Sequence, residues 1–267
     1  YFIKKHYIFV IISILTVILF SLFSPSGIIK ISYLGLAISL TLISLVLLLS
    51  YENNGAVRWI NLAGFSLQPT EFLKPFIIII FSYFLTNKKK IKLFSFYFDG
   101  KAIAFILLLF ISVLVLAQPN YSMFAIIFLV FISQYFISGV NLRWTMIAVL
   151  SFILLSVFSY LNLGHVKYRI DSFLNSETVH FQVEKSIKAY KEGGLLGKGP
   201  GEGIIKKYIP DSHTDFIFPV IAEEYGAIVC IMVIMIVFTI FFRGLFRISK
   251  SNDLFKVTAC VGLLSLF

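Results

Sequence analysis

The chain has 267 residues, 59% of them hydrophobic and 13% charged, with 30 Phe, 13 Tyr and a formal net charge of +10. With a mean hydropathy of +0.94, this composition excludes a water-soluble globular domain. The two cysteines, Cys230 and Cys260, both lie in apolar runs and read as small buried hydrophobes, which gives no support to a disulfide framework, and the cations sit beside apolar runs, so nucleic acid is not an expected partner.

In chain order, apolar runs fall near 8–23, 31–50, 70–86, 102–118, 121–138, 144–160, 216–242 and 254–267. Each is read as a helix crossing a bilayer. They are apolar all round, without the alternation of a membrane β-barrel. The expected fold class is therefore all-α: a polytopic helical membrane protein, one integral membrane domain over 1–267. Tyr1 in place of an initiator Met, and a last run still apolar at Phe267, read as cut ends. The loop 87–101 holds Lys88, Lys89, Lys90, Lys92 and Lys101, and the loop 243–256 holds Arg243, Arg247, Lys250 and Lys256. An even number of spans separates them, so the positive-inside rule makes their shared face cytoplasmic. Lys4, Lys5 and the cations of 161–214 fall on the other side, against the rule, although a long loop that folds as a unit weighs less in it.

Two outward segments remain, 51–68 and the large extracytoplasmic loop 161–214, which is longer than a connector needs. Within the latter, Val179, Val183, Ile187 and Tyr190 recur at helical spacing among Glu184, Lys185, Lys188 and Lys191. This predicts an amphipathic helix on the membrane surface or over a cavity, closed by a left-handed cap at Gly193-Gly194. The following Gly-Gly-Leu-Leu-Gly-Lys-Gly-Pro-Gly-Glu-Gly of 193–203 matches neither the Walker nor the dinucleotide spacing. It reads as a flexible or tightly turned loop, or as a close backbone approach to a substrate.

Ionisable groups near membrane depth carry the chemistry. At the start of a span, Pro69 suits the first helical position and Glu71 the helix dipole; Lys74 follows on the same face, ready to pair with Glu71 or to meet an anionic headgroup. Arg58 can fork onto phosphate oxygens, and Trp59 can stack on a sugar or sit at the interface. Glu223 and Glu224 lie roughly 12–14 Å down a helix from Asp215, as a structural pair with a cation or as catalysts. In Asp211-Ser212-His213-Thr214-Asp215, Asp215 at the lip of a span suits a general base, or a ligand to Mg²⁺ or Mn²⁺ beside a substrate diphosphate. His213 is its partner or merely a helix-start residue. These groups fit a transferase for a lipid-linked phosphate or a carrier of an amphipathic anion.

In order along the chain, Asn54-Gly55-Ala56-Val57-Arg58-Trp59-Ile60, Gln68-Pro69-Thr70-Glu71, Gln118-Pro119, Gly193-Gly194-Leu195-Leu196-Gly197-Lys198-Gly199, Pro210 to Phe218, and Glu223-Glu224-Tyr225-Gly226 resemble the SEDS family (shape, elongation, division and sporulation) of bacterial cell-wall polymerases. The stretch 199–203 with 210–213 is more similar to the division member than to the elongation member. Departures are Asn120 where the family usually has an acid, Tyr121-Ser122 after it, Pro219 for a usual Ala and Thr70 for Ser.

The resemblance implies a ten-span fold, of which this chain holds about eight spans from the second into the ninth. It also implies polymerisation of lipid II into β-1,4 glycan strands outside the bacterial cytoplasmic membrane, at the division septum, with release of undecaprenyl diphosphate. Carried over by position, Asp215 is the base for the acceptor 4-hydroxyl. Arg58, Lys74 and a divalent cation, Mg²⁺ or Mn²⁺, steady the diphosphate, Trp59 and Glu71 line the cavity, and His213 and Lys198 join them as substrate-binding candidates. The implied partners are a class B penicillin-binding transpeptidase and other divisome membrane proteins. A flippase for the lipid-linked precursor and a division-protein scaffold are the alternatives.

Overall fold

The computed structural model describes residues 2–49, 59–62, 65–87, 91–93, 96–118, 120–139, 141–174, 181–210 and 212–266. Its helices are α1 (Phe2–Ser21), α2 (Pro25–Leu49), α3 (Pro69–Thr86), α4 (Gly100–Ala117), α5 (Tyr121–Ile137), α6 (Leu142–Asn162), α7 (Gly164–Leu174), α8 (Phe181–Gly193), α9 (Ile217–Ser249) and α10 (Leu254–Leu264). Every apolar run of the sequence coincides with one of them. Of these, α2, α3, α4, α6 and α9 are long and apolar enough to cross a membrane, while α5, α10 and the stretch His6–Ser21 of α1 are apolar but shorter. Two antiparallel hairpins, β1 (Ile60–Leu62) with β2 (Phe65–Leu67) and β3 (Ile91–Leu93) with β4 (Phe96–Phe98), were not foreseen. At three residues per strand they are too short for a period-two pattern to stand out.

Helix starts follow local chemistry. Asp99, Asn120 and Asp253 cap α4, α5 and α10 by accepting bonds from Lys101, Met123, and Phe255 with Lys256, respectively. Pro69 opens α3 at a position where its missing N–H costs nothing.

The chain divides into two compact units, Tyr1–Leu155 with Ser251–Leu266, and Ser156–Lys250. In the first, α3 is the central helix: four successive isoleucines, Ile77 to Ile80, are all buried, as happens only when a helix is surrounded. Around it α2, α4 and α5 contribute Leu36, Ile43, Leu108, Ile111, Phe124 and Phe128 to one core, and Phe81 meets Phe131 edge-on at 4.8 Å. Gly35 of α2 lies flat on Phe76, where a Cβ would come within 2.5 Å of the ring, so a small residue sets the helix spacing. Gln134 of α5 ties three helices together, its Nε2 lying 3.0 Å from the Ile78 carbonyl, 2.7 Å from Ser82 Oγ and 3.2 Å from the Thr258 carbonyl. Gly262 of α10 leaves room for that amide, since a Cβ there would sit 2.3 Å from Nε2.

In the second unit α8 packs on the first part of α9 through small residues, Ser186, Ala189 and Gly193. Of the apolar stripe, Val183 and Ile187 stay exposed, and the Tyr190 ring meets that of Phe218 of α9 at 6.3 Å. Gly194, at φ 55°, gives α8 its left-handed end. Helix α9 is broken at Gly226, whose φ of 81° and ψ of 177° interrupt the spiral. Two helical rungs, Ala227 N–H to Glu223 C=O and Ile228 N–H to Glu224 C=O, are thereby lost. All four groups find partners in the glycine-rich loop: Lys198 and Gly199 donate to the carbonyls of Glu223 and Glu224 at 2.9 and 3.0 Å, and Ala227 and Ile228 donate to the carbonyls of Gly194 and Leu195 at 2.9 and 3.3 Å. The loop approaches backbone to backbone, so a Cβ on Gly193, Gly197 or Gly226 would fall 1.9–2.3 Å from a carbonyl oxygen.

Apolar side chains cover the outside of α1 and of α9 beyond the break, for instance Ile231, Met235, Ile236 and Phe238. So much exposed apolar surface on helices that satisfy their own backbone is the arrangement lipid requires.

Two outcomes are expected. Gln134→Leu should lower stability by about 1–2 kcal/mol, read from the midpoint of denaturant unfolding in detergent. Gly194→Ala, with open space around it, should cost only the left-handed backbone penalty of about 1–2 kcal/mol; Gly197→Ala adds a backbone clash and should lower the thermal midpoint clearly further.

Candidate active site

Asp215 sits in the turn just before α9, exposed together with His213 and Thr214. The turn is not loose. Phe216, next in sequence, packs against Ala189, Ile205 and Ile209 in the small core of the second unit, and Ile217 N–H donates to the Thr214 carbonyl at 3.4 Å. Asp211 and Arg58 lie outside the described residues. Among the described residues, no three His, Cys, Asp or Glu side chains form a group that could hold a metal ion, so this chain's own side chains there do not fit a fully protein-held metal centre.

Glu223 and Glu224, left open between structure and catalysis by the sequence, both grip the loop. Glu223 is fully buried: its Oε1 accepts from the N–H groups of Ile204 (2.7 Å) and Ile205 (2.8 Å), and its Oε2 from that of Lys206 (2.9 Å). These are the amides that open the 3-10 turn Ile205–Tyr208, so the carboxylate does for that turn what an N-cap does for a helix. Glu224 pairs with the Lys206 ammonium, which also donates to the Gly201 carbonyl at 3.2 Å. Lys206 went unnoticed in the sequence. Its signal was the pair of acids at a span's beginning, which needed a cation close by.

Lys198, a substrate-binding candidate, is ion-paired with Glu192 at 2.6 Å. The bonded ammonium holds the Glu192 carboxyl below the usual carboxylate range. The glycine-rich loop around it makes a close backbone approach as expected of glycines, but to α9.

In the first unit, Glu71 stands in the first turn of α3 and pairs with Lys74 at 2.6 Å, in the i, i+3 relation the spacing predicts. The lysine is the more buried partner: its side chain is 19% exposed against 50% for Glu71. Its stem lies in a narrow crevice with Ile77, Ile127 and Val130, an aliphatic stem in apolar surroundings with its charge at the edge. Trp59, immediately before β1, exposes about half its surface, and Gln68 Nε2 donates to Thr70 Oγ1 at 3.0 Å beside them in sequence.

Known proteins fit this architecture. A model of the cell cycle protein family of FtsW, RodA and SpoVE matches residues 1–267. The probable peptidoglycan glycosyltransferase FtsW of Caulobacter vibrioides is 35% identical over 221 residues, which cover 82% of this chain and 55% of that protein. Its namesake in Wigglesworthia glossinidia brevipalpis is 30% identical over 236 residues, 85% of this chain and 60% of that one. The chain thus spans a little over half the length of these curated relatives. Among solved structures, a chain of a peptidoglycan synthase complex coordinating polymerization and crosslinking superposes with a TM-score of 0.71 at 21% identity, over 95% of this chain and 71% of that one. The rod shape determining protein RodA of Thermus thermophilus does so with 0.61 at 19% identity, over 95% and 68%. At such identities the likeness is one of fold, a polytopic helical membrane bundle. Matched by the family model over its whole length, this chain belongs to the FtsW, RodA and SpoVE family of cell cycle proteins, the SEDS family.

Proposed function

We propose that the protein is a peptidoglycan glycosyltransferase of the division type. It polymerises lipid II into β-1,4 glycan strands on the outer face of the bacterial cytoplasmic membrane, at the septum, with all eight apolar helices in the bilayer. The observation that carries this reading is Asp215: a solvent-facing carboxylate at the N-terminal lip of a membrane-length helix, in a chain whose relatives are named for this activity.

In the proposed reaction the acceptor 4-hydroxyl attacks the anomeric carbon of the donor sugar. Asp215 takes the hydroxyl proton, and the bond from that carbon to the diphosphate oxygen breaks. An α linkage becomes a β linkage in one displacement, and undecaprenyl diphosphate leaves with the electron pair. A carboxylate is acceptor-only when ionised, so Asp215 needs no other group to begin as a base. The assignment of Arg58 and Lys74 to the diphosphate, and of Trp59, Glu71, His213 and Lys198 to substrate contacts, rests on the family resemblance and is part of the proposal. The divalent cation is kept only as a companion of the substrate's own diphosphate oxygens, and no step runs through it.

The class B penicillin-binding transpeptidase expected as partner finds support in the synthase complex whose chain shares this fold; other divisome membrane proteins complete the proposed setting. The flippase alternative requires deep charges such as Glu223 or Glu224. Both are engaged in bonds to the loop, an arrangement that favours a transferase.

In the full-length protein assembled with its transpeptidase, Asp215→Asn is expected to lower glycan synthesis from lipid II by at least about 100-fold while assembly is unchanged. Synthesis within tenfold of the wild type would overturn the base assignment. Lys74→Met should raise the KM for lipid II or lower kcat by about tenfold or more, as expected for lost diphosphate stabilisation, and the same assay with and without EDTA reports on the cation.

A further inference from the structure

The reaction proposed above uses no part of Glu223, yet this is the one fully buried carboxylate among the described residues. Three amide donors engage both of its oxygens at 2.7–2.9 Å, and its burial keeps it from substrate. Its bonds end at Lys206, and Asp215 lies on the segment 207–216 that begins there. The other end of that segment is α9 itself, which starts at Ile217 and carries Glu223 in its second turn. Both ends of the Asp215 segment are therefore fastened to one short helical stretch, 217–225. That stretch is in turn sewn to the 194–199 loop at the Gly226 break. Between the two anchors Ile209 and Phe216 are pegged into the core, while His213, Thr214 and Asp215 are exposed.

We propose that Glu223 is a positioning residue: by gripping the 204–206 amides it closes the base of the loop that carries Asp215 and thereby fixes where the carboxylate stands. The inference rests on the reading of Asp215 as the general base. A carboxylate is the only side chain suited to the grip, because all three partners are donors. An amide in its place would turn an N–H₂ toward at least one N–H and leave that backbone group unbonded in a buried site. Gly203 belongs to the same device, since a Cβ there would come within 2.9 Å of Glu223 Oε2. The neighbouring Glu224 holds the Lys206 ammonium and the Gly201 backbone, upstream of the 204–206 amides, so it adds to the grip without setting the loop's base. Catalytic geometry is sensitive to such anchoring: a displacement of about 1 Å costs on the order of 100-fold in rate.

The test is Glu223→Gln in the full-length protein in complex with its transpeptidase, with hydrogen exchange and glycan synthesis from lipid II measured on the same preparation. Exchange of the 204–216 amides is expected to quicken by at least about tenfold, with α8 and the part of α9 beyond Gly226 still protected. The kcat for glycan synthesis should fall by about 10- to 100-fold with KM for lipid II within about threefold. Glu224→Gln, which spares the three amide bonds, should keep kcat within about fivefold of the wild type. Should Glu223→Gln fail to assemble, Glu223→Asp, which keeps the charge and withdraws it by one methylene, takes its place in both measurements. Unchanged exchange, or quickened exchange with full kcat, would overturn the inference. If the wild type makes no glycan, or Asp215→Asn makes it normally, the proposed activity fails instead, and the exchange result still decides whether Glu223 closes the loop.

Discussion

The structure of the second unit turns on one constraint: a helix broken at a buried residue must find its lost backbone bonds elsewhere. Unpaired amides and carbonyls in an apolar setting cost several kcal/mol each, roughly as much as a single mutation in a core. Helix α9 breaks at Gly226 and leaves two donors and two acceptors without their helical rungs, and the glycine-rich loop supplies all four. The loop's composition follows from this. Backbone can reach backbone only where no Cβ intervenes, which is why Gly193, Gly197 and Gly226 face carbonyl oxygens at distances no side chain permits. The stretch is as glycine-rich as a phosphate loop, without its spacing, because both devices need bare backbone amides. Here the anion's place is taken by helix carbonyls and by the Glu223 carboxylate.

The two adjacent glutamates then have a division of labour that follows from burial. Glu223 is fully enclosed and is satisfied by three neutral donors, which stabilise its charge without importing a second one. Glu224 is closer to solvent and takes the Lys206 ammonium, an ion pair that partial hydration makes affordable. Each acid fastens a different part of the same stretch, Glu223 the 204–206 amides and Glu224 the Lys206 side chain with the Gly201 backbone. The result is a rigid block beneath an exposed turn. That combination suits a carboxylate that must meet a large amphipathic substrate without drifting.

Much of this was legible in the residues. The apolar runs located the helices because a membrane-length apolar pattern has few other solutions, and Glu71 with Lys74 was readable as a pair because three residues separate them on one helix. The end of α8 was readable for a similar reason, since a double glycine after a helical pattern has one common meaning; Gly194 takes the positive φ. What stayed hidden depended on contacts remote in sequence. Nothing local marks Gly226 as a break, since a glycine inside an apolar helix usually only lowers its propensity; its meaning lies in Gly194 and Leu195, some thirty residues earlier. The contact of α8 with α9 was hidden for the same reason, since it is made by Ser186, Ala189 and Gly193, small residues whose value is closeness, with Tyr190 beside Phe218.

The departure at Asn120 gains a physical reading from the same logic. The family usually places an acid after Gln-Pro at this point, and loss of a carboxylate would matter if that group did chemistry. In this chain Asn120 is buried and caps α5, its Oδ1 accepting from the Met123 amide at 3.4 Å. Asn and Asp serve that role about equally, because both place an acceptor oxygen at the same distance from the backbone. The cap therefore survives the exchange while the charge does not. That leaves the exposed Asp215, held at both ends of its loop, as the carboxylate whose ionisation the proposed reaction requires.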